Sequence, residues 1–210
     1  MWTGAYSEGM TSRSQPTAAV LLAAGAGTRL GRGPKALLEY RQEPLVSYLV
    51  SVLRNGGCTE IVVVLGAGAG QIRRQADLSG CRVLDNPHWS GGMGSSFRLG
   101  TAAVPPGFHM LAVLVDQPGL TSAIVRRLLD SHKPGRVTAA AYRGTDGELQ
   151  RGHPVLFDAA LVAQAAETAS GDSGARGFLL DHTDLIDIVD CSDESDGGDV
   201  DTAADLYRLE

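Results

Sequence analysis

The chain has no apolar run approaching the twenty or so consecutive residues that a membrane span needs, and its first sixteen residues lack the apolar stretch of a secretory signal. A membrane anchor and export are therefore not expected, and the small, polar leader 1–16 is expected to be disordered. Basic clusters are also missing: none exceeds two residues, and the formal charge of −6 offers no cationic surface for nonspecific binding of nucleic acid. Arg73-Arg74 and Arg126-Arg127 read as solvated helix faces. Cysteine is scarce. Cys58, Cys81 and Cys191 are odd in number, far apart and in no C-x-x-C pair, which argues against a disulfide framework, a zinc site or thiol catalysis, and for a reduced, cytoplasmic protein. Internal repeats are absent as well.

What remains is a chain of 210 residues with ordinary apolar content, enough for one domain, 17–210, with a core of its own. Residues 17–24 read as a strand, and 44–55 as a helix that opens at Pro44 and closes at Asn55-Gly56-Gly57. Ile61 to Leu65 and Leu111 to Val115 are unbroken apolar runs of the kind buried on both faces of a parallel sheet. Helices are expected at 71–77, 95–103 and 121–132, the last capped by Thr121, with a strand at 81–84. Strands at 137–142, 154–157 and 185–189 and helices at 159–168 and 174–181 complete the pattern. This alternation indicates an α/β fold with a doubly wound, mostly parallel sheet, in a single Rossmann-like domain. Ligands of such sheets sit outside the carboxyl ends of the strands, where the loops 25–35, 86–96 and 116–118 are expected to converge.

Those loops carry the unusual residues. The first strand breaks into Gly25-Ala26-Gly27-Thr28-Arg29-Leu30-Gly31, followed by Gly33-Pro34-Lys35. Gly25 and Gly27 are expected to take positive φ and bring backbone N–H groups to phosphate oxygens, with Arg29 and Lys35 neutralising the remaining charge. The spacing G-x-G-x-x-x-G is one residue too long for the dinucleotide fingerprint, and Pro34 stands where a P-loop needs glycine, with no Ser or Thr after Lys35. A plain strand-to-helix turn is the alternative.

Asp116 follows five apolar residues at the carboxyl end of a central strand and precedes Gln117-Pro118. There it would either suit Mg²⁺, which takes oxygen ligands, or cap the helix 121–132. Asp199 and Asp201 fall on one side of an extended segment, as a second source of metal ligands or as a solvated acidic turn. The whole stretch Asp190–Asp201 is either a mobile turn or a metal-facing loop. Asn86-Pro87, with Gly92-Met93-Gly94-Ser95-Ser96 at a helix start, offers hydrogen bonds to a base or ribose, or is simply a capped loop. His88 reads as a surface residue, and His153, taken alone, as packing or a loop hydrogen bond.

Together these segments resemble the molybdenum cofactor cytidylyltransferases, within the molybdopterin nucleotidyltransferase-like superfamily, from about Ala18 to Tyr207. Leu22-Ala23-Ala24-Gly25 through Gly31 with Pro34-Lys35 is similar to the superfamily's triphosphate loop, and Asp116-Gln117-Pro118 to its metal-binding motif. Asn86 to Ser96, Gly152-His153-Pro154, Gly171-Asp172-Ser173-Gly174-Ala175-Arg176 and Asp199-Val200-Asp201-Thr202 are similar to the cytidylyl branch. Two departures stand out: the leader before Gln15 has no family counterpart, and Ala203-Ala204 replaces a proline–acid pair.

The resemblance implies a nucleotide site of Leu22, Ala23, Ala24, Gly25, Gly27, Thr28, Arg29, Lys35, Gly66, Asn86, Gly94, Ser95, Ser96 and Asp116, with Arg29, Lys35 and Asp116 in catalytic roles. It implies an acceptor site of Gln117, Pro118, Gly152, His153, Pro154, Asp172, Ser173, Gly174 and Arg176. Mg²⁺ would be held by Asp116 with Asp199 or Asp201. The implied reaction moves CMP from CTP to the terminal phosphate of molybdopterin or molybdenum cofactor, releasing pyrophosphate, with a recipient molybdoenzyme or its maturation factor as a further partner. The alternatives are a related transferase that uses GTP or another phosphorylated acceptor (sugar, polyol or lactate phosphate), and a non-catalytic molybdopterin carrier.

Overall fold

The computed structural model describes residues 15–210, so the expectation for the leader falls, apart from Gln15 and Pro16, outside the described residues. Nine strands and six helices alternate along the described chain: β1 (Thr17–Ala23), β2 (Glu39–Tyr40), β3 (Glu43–Pro44), α1 (Leu45–Gly56), β4 (Glu60–Leu65), α2 (Ala69–Gln75) and β5 (Arg82–Asp85) form the first half. The second half runs α3 (Met93–Thr101), β6 (His109–Leu114), α4 (Ser122–Ser131), β7 (Val137–Arg143), β8 (Leu149–Phe157), α5 (Val162–Glu167), α6 (Arg176–Asp181) and β9 (Ile186–Asp190). Seven strands form one sheet in the order β5-β4-β1-β6-β8-β7-β9. β8 alone runs against its neighbours β6 and β7; the other pairings are parallel, as the alternation indicated.

The strand residues explain the layering. Successive side chains of an extended strand point to opposite faces, so Ala19, Leu21 and Ala23 of β1 pack into one apolar cluster and Val20 and Leu22 into another. α1, α2 and α4 cover the first face through Leu49, Leu53, Ile72, Ile124 and Leu128. α3, α5 and α6 cover the second through Phe97, Ala165 and Phe178. Helices on both faces leave only the strand ends open. From β1 the chain steps outward to β4 and β5, then returns to place β6 on the other side of β1. The order reverses between β1 and β6, which makes the crevice at their carboxyl ends the site a doubly wound sheet offers to ligands.

Three local features depart from expectation. A β2–β3 hairpin turns at Arg41 and Gln42, both with positive φ, a conformation these residue types do not advertise. β8 begins at Leu149, not 154, because the long hairpin with β7 continues past a register shift near Ala139. Arg127 is solvated as expected but is also tied down, which no local pattern showed: it donates to both carboxylate oxygens of Asp193, at 2.6 and 2.8 Å, and to the Asp190 carbonyl.

At the far end of the sheet from the crevice, His109, His132 and Asp158 form a polar knot. The Ala159 N–H donates to His109 Nδ1 at 3.0 Å, and His132 contacts Thr138 Oγ1 at 3.0 Å and Asp158 Oδ2 at 3.4 Å. Burial lowers the pKa of both histidines below their ordinary value of 6.5, and the neighbouring His132 lowers that of His109 further. The folded state therefore prefers them neutral while the unfolded chain protonates them near 6.5, so the unfolded state binds more protons below that pH and stability falls on acidification. Denaturant unfolding from about pH 7.5 to pH 5 is expected to show this decline, and a flat profile would contradict it.

Candidate active site

β1 hands the chain to the glycine loop, and the turn is made at Gly27, whose φ is +63° and whose carbonyl accepts from the N–H groups of Leu30 and Gly31. A Cβ at Gly27 would lie 2.4 Å from the Gly33 carbonyl oxygen, so glycine is required there. Gly25 does not take positive φ, contrary to expectation: the left-handed turn falls at Gly27 instead, and Gly25 is exposed with open space around it. The loop closes on Lys35, which opens a short 3₁₀ turn anchored by the fully buried Ala36.

Asp116 lies two residues past the end of β6. It does not cap α4, because the Thr121 hydroxyl accepts from the Ile124 N–H and fills that role. Its carboxylate instead meets Lys35, with Nζ to Oδ2 at 2.8 Å, and Lys35 Nζ also donates to Asp201 Oδ1. The acidic segment is brought in by its backbone, since the Val200 N–H donates to the Asp116 carbonyl at 2.8 Å. Gln117 Nε2 donates to Asp199 Oδ1 at 2.8 Å and so fixes the third acid. Three carboxylates and one ammonium thus share one corner of the crevice.

The electrostatics follow from that crowding. Burial works to lower the Lys35 pKa, but the charge and hydrogen bonds of Asp116 and Asp201 outweigh it and hold the ammonium above its ordinary value. Burial, with the nearby Asp116 charge, pushes the Asp199 carboxyl upward, against the hydrogen bond from Gln117. Asp116 Oδ1 is buried and has no hydrogen-bond partner. An orphaned carboxylate oxygen is costly in a protein interior. Hard oxygen donors with an unfilled acceptor fit a divalent cation such as Mg²⁺, so the residues present suit the metal that the sequence implies.

Two adjoining cavities open here, the first of them over Lys35 and Asp116. Leu22, Ala24, Gly25, Thr28, Lys35, Ser96 and Asp116 line one of about 390 Å³, together with Ala26, Trp89, Gly92 and Met93. Gly152, His153, Asp172, Ser173, Gly174 and Arg176 line the other, of about 290 Å³, with Phe97 and Arg151. Leu22, Met93 and Asp172 belong to both walls. Arg151 was missed in the sequence because it lies in a strand with no motif around it, and Trp89 falls inside the Asn86–Ser96 segment without having been singled out. Burial lowers the His153 pKa, while the Asp116 charge pulls it the other way.

Other expected site residues line neither cavity. Gln117 and Pro118 are buried, and Gln117 serves Asp199 rather than the crevice. Pro154 and Ala23 are also buried. Asn86, 4% exposed, donates through its amide to the Ser95 and Ser96 hydroxyls and accepts at Oδ1 from the His88 N–H, so its side chain pins the 86–96 loop. Gly66 sits against Trp89 and the Ala24 carbonyl, and Gly94 packs on Ser170 while its N–H donates to the Gly171 carbonyl. Arg29 is exposed at the rim, as is His88 on its own loop.

Residues 19–185 match the MobA-like NTP transferase domain. The chain belongs to that family. This MobA-like nucleotidyltransferase is 53% identical over 192 residues to a protein of Paenarthrobacter nicotinovorans named nicotine blue oxidoreductase, covering 90% of this chain and 94% of that one. Rv0371c from Mycobacterium tuberculosis H37Rv superposes with a TM-score of 0.78 at 28% identity, over 93% of this chain and 98% of its own, and has also been solved in complex with manganese. A nucleotidyl transferase from Methanothermobacter thermautotroptrophicus shares the fold, with a TM-score of 0.77 at 22% identity over 92% and 95% of the two chains. Nucleotidyltransferases of this fold use divalent metals. Among the described residues no helix is long and apolar enough to cross a membrane.

Proposed function

We propose that the protein transfers CMP from CTP to the terminal phosphate of molybdopterin or molybdenum cofactor, with Mg²⁺, releasing pyrophosphate. The observation that carries this reading is the meeting of Lys35, Asp116 and Asp201 beside the glycine-loop cavity, which Lys35 and Asp116 line and which shares Leu22, Met93 and Asp172 with the cavity of Arg151, His153 and Arg176. In the reaction an acceptor phosphate oxygen bonds to the α-phosphorus of CTP, the bond from that phosphorus to the bridging oxygen breaks, and the electron pair leaves with pyrophosphate. A phosphate monoester is already ionised near neutral pH, so no general base is needed.

The protein's part is then positioning and charge. The amides around Gly25 and Gly27 cradle the triphosphate, Lys35 and Arg29 neutralise it, and the wall from Trp89 to Ser96 receives the nucleoside. Asp116, with Asp199 or Asp201, would hold Mg²⁺, which supplies further neutralisation of the transferring and leaving phosphates. The cationic side chains of Arg151 and Arg176 suit the acceptor's phosphate, and Ser173 and Gly174 shape the wall beside it. A cytoplasmic place and a recipient molybdoenzyme or maturation factor belong to the same reading.

Thermal unfolding tests the choice of nucleotide. A ligand that binds only the folded state stabilises it by about 2.7 kcal/mol at a hundredfold excess over its Kd, a rise of roughly 5–10 °C for a domain of this size. Mg²⁺ with CTP is expected to give such a rise, and a response to GTP alone would refute the cytidylyl assignment. One observation favours a second reading, the 53% identity to a protein named nicotine blue oxidoreductase. In that reading the crevice receives a dye of that kind and the reaction is a redox one. A change in the redox state of nicotine blue that depends on the protein and an added reductant, without pyrophosphate release from CTP and acceptor, would select it.

A further inference from the structure

Lys35 is committed in a way that a triphosphate-binding lysine cannot remain. Its ammonium donates to Asp116 and to Asp201, which lie on segments far apart in the chain, and its side chain is only 13% exposed. The Asp116 main chain and the Thr202–Asp205 capping box hold the two acids where they are, independently of Lys35. Asp201 is further fixed by its own N–H donating to Asp205 Oδ2. The position between Asp116 and Asp201 is therefore a fixed cation seat, and the cation in it is part of the protein.

We propose that Lys35 is a stand-in for the divalent cation: in the free protein it occupies the seat between Asp116 and Asp201, and the triphosphate of an incoming nucleotide draws it off so that the metal can enter. This rests on the reading of the crevice as a metal–nucleotide site, and adds an order of events to it. An ammonium and a divalent ion held by the same two carboxylates lie within a few ångströms of one another and repel strongly, so each weakens the other's hold. Free metal must therefore displace Lys35 with no compensating partner for the ammonium, whereas a metal arriving with a triphosphate gives Lys35 phosphate oxygens to move to. Metal and nucleotide binding become positively coupled, and by reciprocity each strengthens the other to the same degree. The unpartnered Asp116 Oδ1 fits this order, because an ammonium placed on Oδ2 and Asp201 leaves it without a donor.

Mn²⁺ binding to the nucleotide-free protein, followed by electron paramagnetic resonance, tests the idea. Lys35→Met keeps the length of the chain and removes the charge, and is expected to bind Mn²⁺ at least about tenfold more tightly than the parent. Arg32→Met, which removes an exposed cation on the same loop, is expected to change the affinity less than about twofold. Equal Mn²⁺ affinity of the parent and Lys35→Met, or an equal gain in Arg32→Met, would overturn the proposal, the latter by reducing it to general electrostatics. A second measurement uses the parent alone. Lys35 and Lys133 are the only lysines in the sequence, and Lys133 is exposed, 3.6 Å from Asp187 and remote in sequence from the acids of the seat. Saturating Mn²⁺ is expected to speed acylation of Lys35 relative to Lys133, and an unchanged ratio would overturn the proposal. If Mn²⁺ binds the parent with CTP but these effects are missing, only the exchange is wrong. If Mn²⁺ binds neither protein even with CTP, the metal–nucleotide reading falls with it.

Discussion

Replacing Asp116 with alanine is expected to leave a folded protein whose pyrophosphate release falls at least about a hundredfold, the scale lost with one electrostatic stabiliser in an active site. The fold should survive because the contacts that organise this corner use the Asp116 backbone: its carbonyl, not its carboxylate, holds the Val200 N–H. The cap of α4 is likewise supplied by Thr121. What the substitution removes is a carboxylate in the wall of the glycine-loop cavity, with one oxygen on Lys35 and the other unpartnered. Circular dichroism and a melting curve establish that the variant is folded, and turnover with CTP, Mg²⁺ and acceptor measures the loss. Near-normal turnover would take Asp116 out of the mechanism.

Gly92→Ala is the second large effect, and it acts on architecture. Gly92 has φ of +104°, and a Cβ there would lie 2.3 Å from the Gly171 carbonyl oxygen and 2.7 Å from Asp172 Oδ1. The first of these is a backbone atom, which cannot swing aside as a side-chain end can. Backbone strain of this kind costs about 1–3 kcal/mol, and the two loops must also move apart. Because Met93 and Asp172 line both cavities, separating their loops disturbs both at once. Lower stability in denaturant and CTP binding weakened by roughly tenfold, about 1.4 kcal/mol, are expected together. Gly91→Ala serves as the control, since a Cβ at Gly91 meets nothing within 4 Å. Unchanged stability and CTP affinity in Gly92→Ala would show that the contact with Gly171 does not shape the site.

Much of this was legible in the sequence because the central strands are apolar on both faces. Val62 to Leu65 and Leu111 to Val113 announce buried parallel strands with little competition from any other pattern, and Pro44 and Gly57 bound α1 by backbone chemistry alone. The crevice followed from topology once β1 and β6 were placed. Other features depend on contacts between residues distant in the chain, which local patterns do not carry. The β2–β3 turn lacks glycine and asparagine, so its positive φ values at Arg41 and Gln42 had no signal. Asn86 looked like a nucleotide ligand because its loop is rich in polar groups; the fold satisfies those groups within the loop. The pairing of Lys35 with Asp116 and Asp201 was equally hidden, since the loop suggested a lysine aimed at phosphate rather than one already holding two acids.

The most direct test is anomalous diffraction from crystals grown with Mn²⁺ and a non-hydrolysable CTP analogue. A manganese peak in contact with Asp116 and one of the acids at 199 and 201, with the triphosphate over Gly25 and Gly27 and Lys35 turned onto it, is the result predicted. A peak away from Asp116, or a nucleotide bound outside the crevice between β1 and β6, would contradict the account.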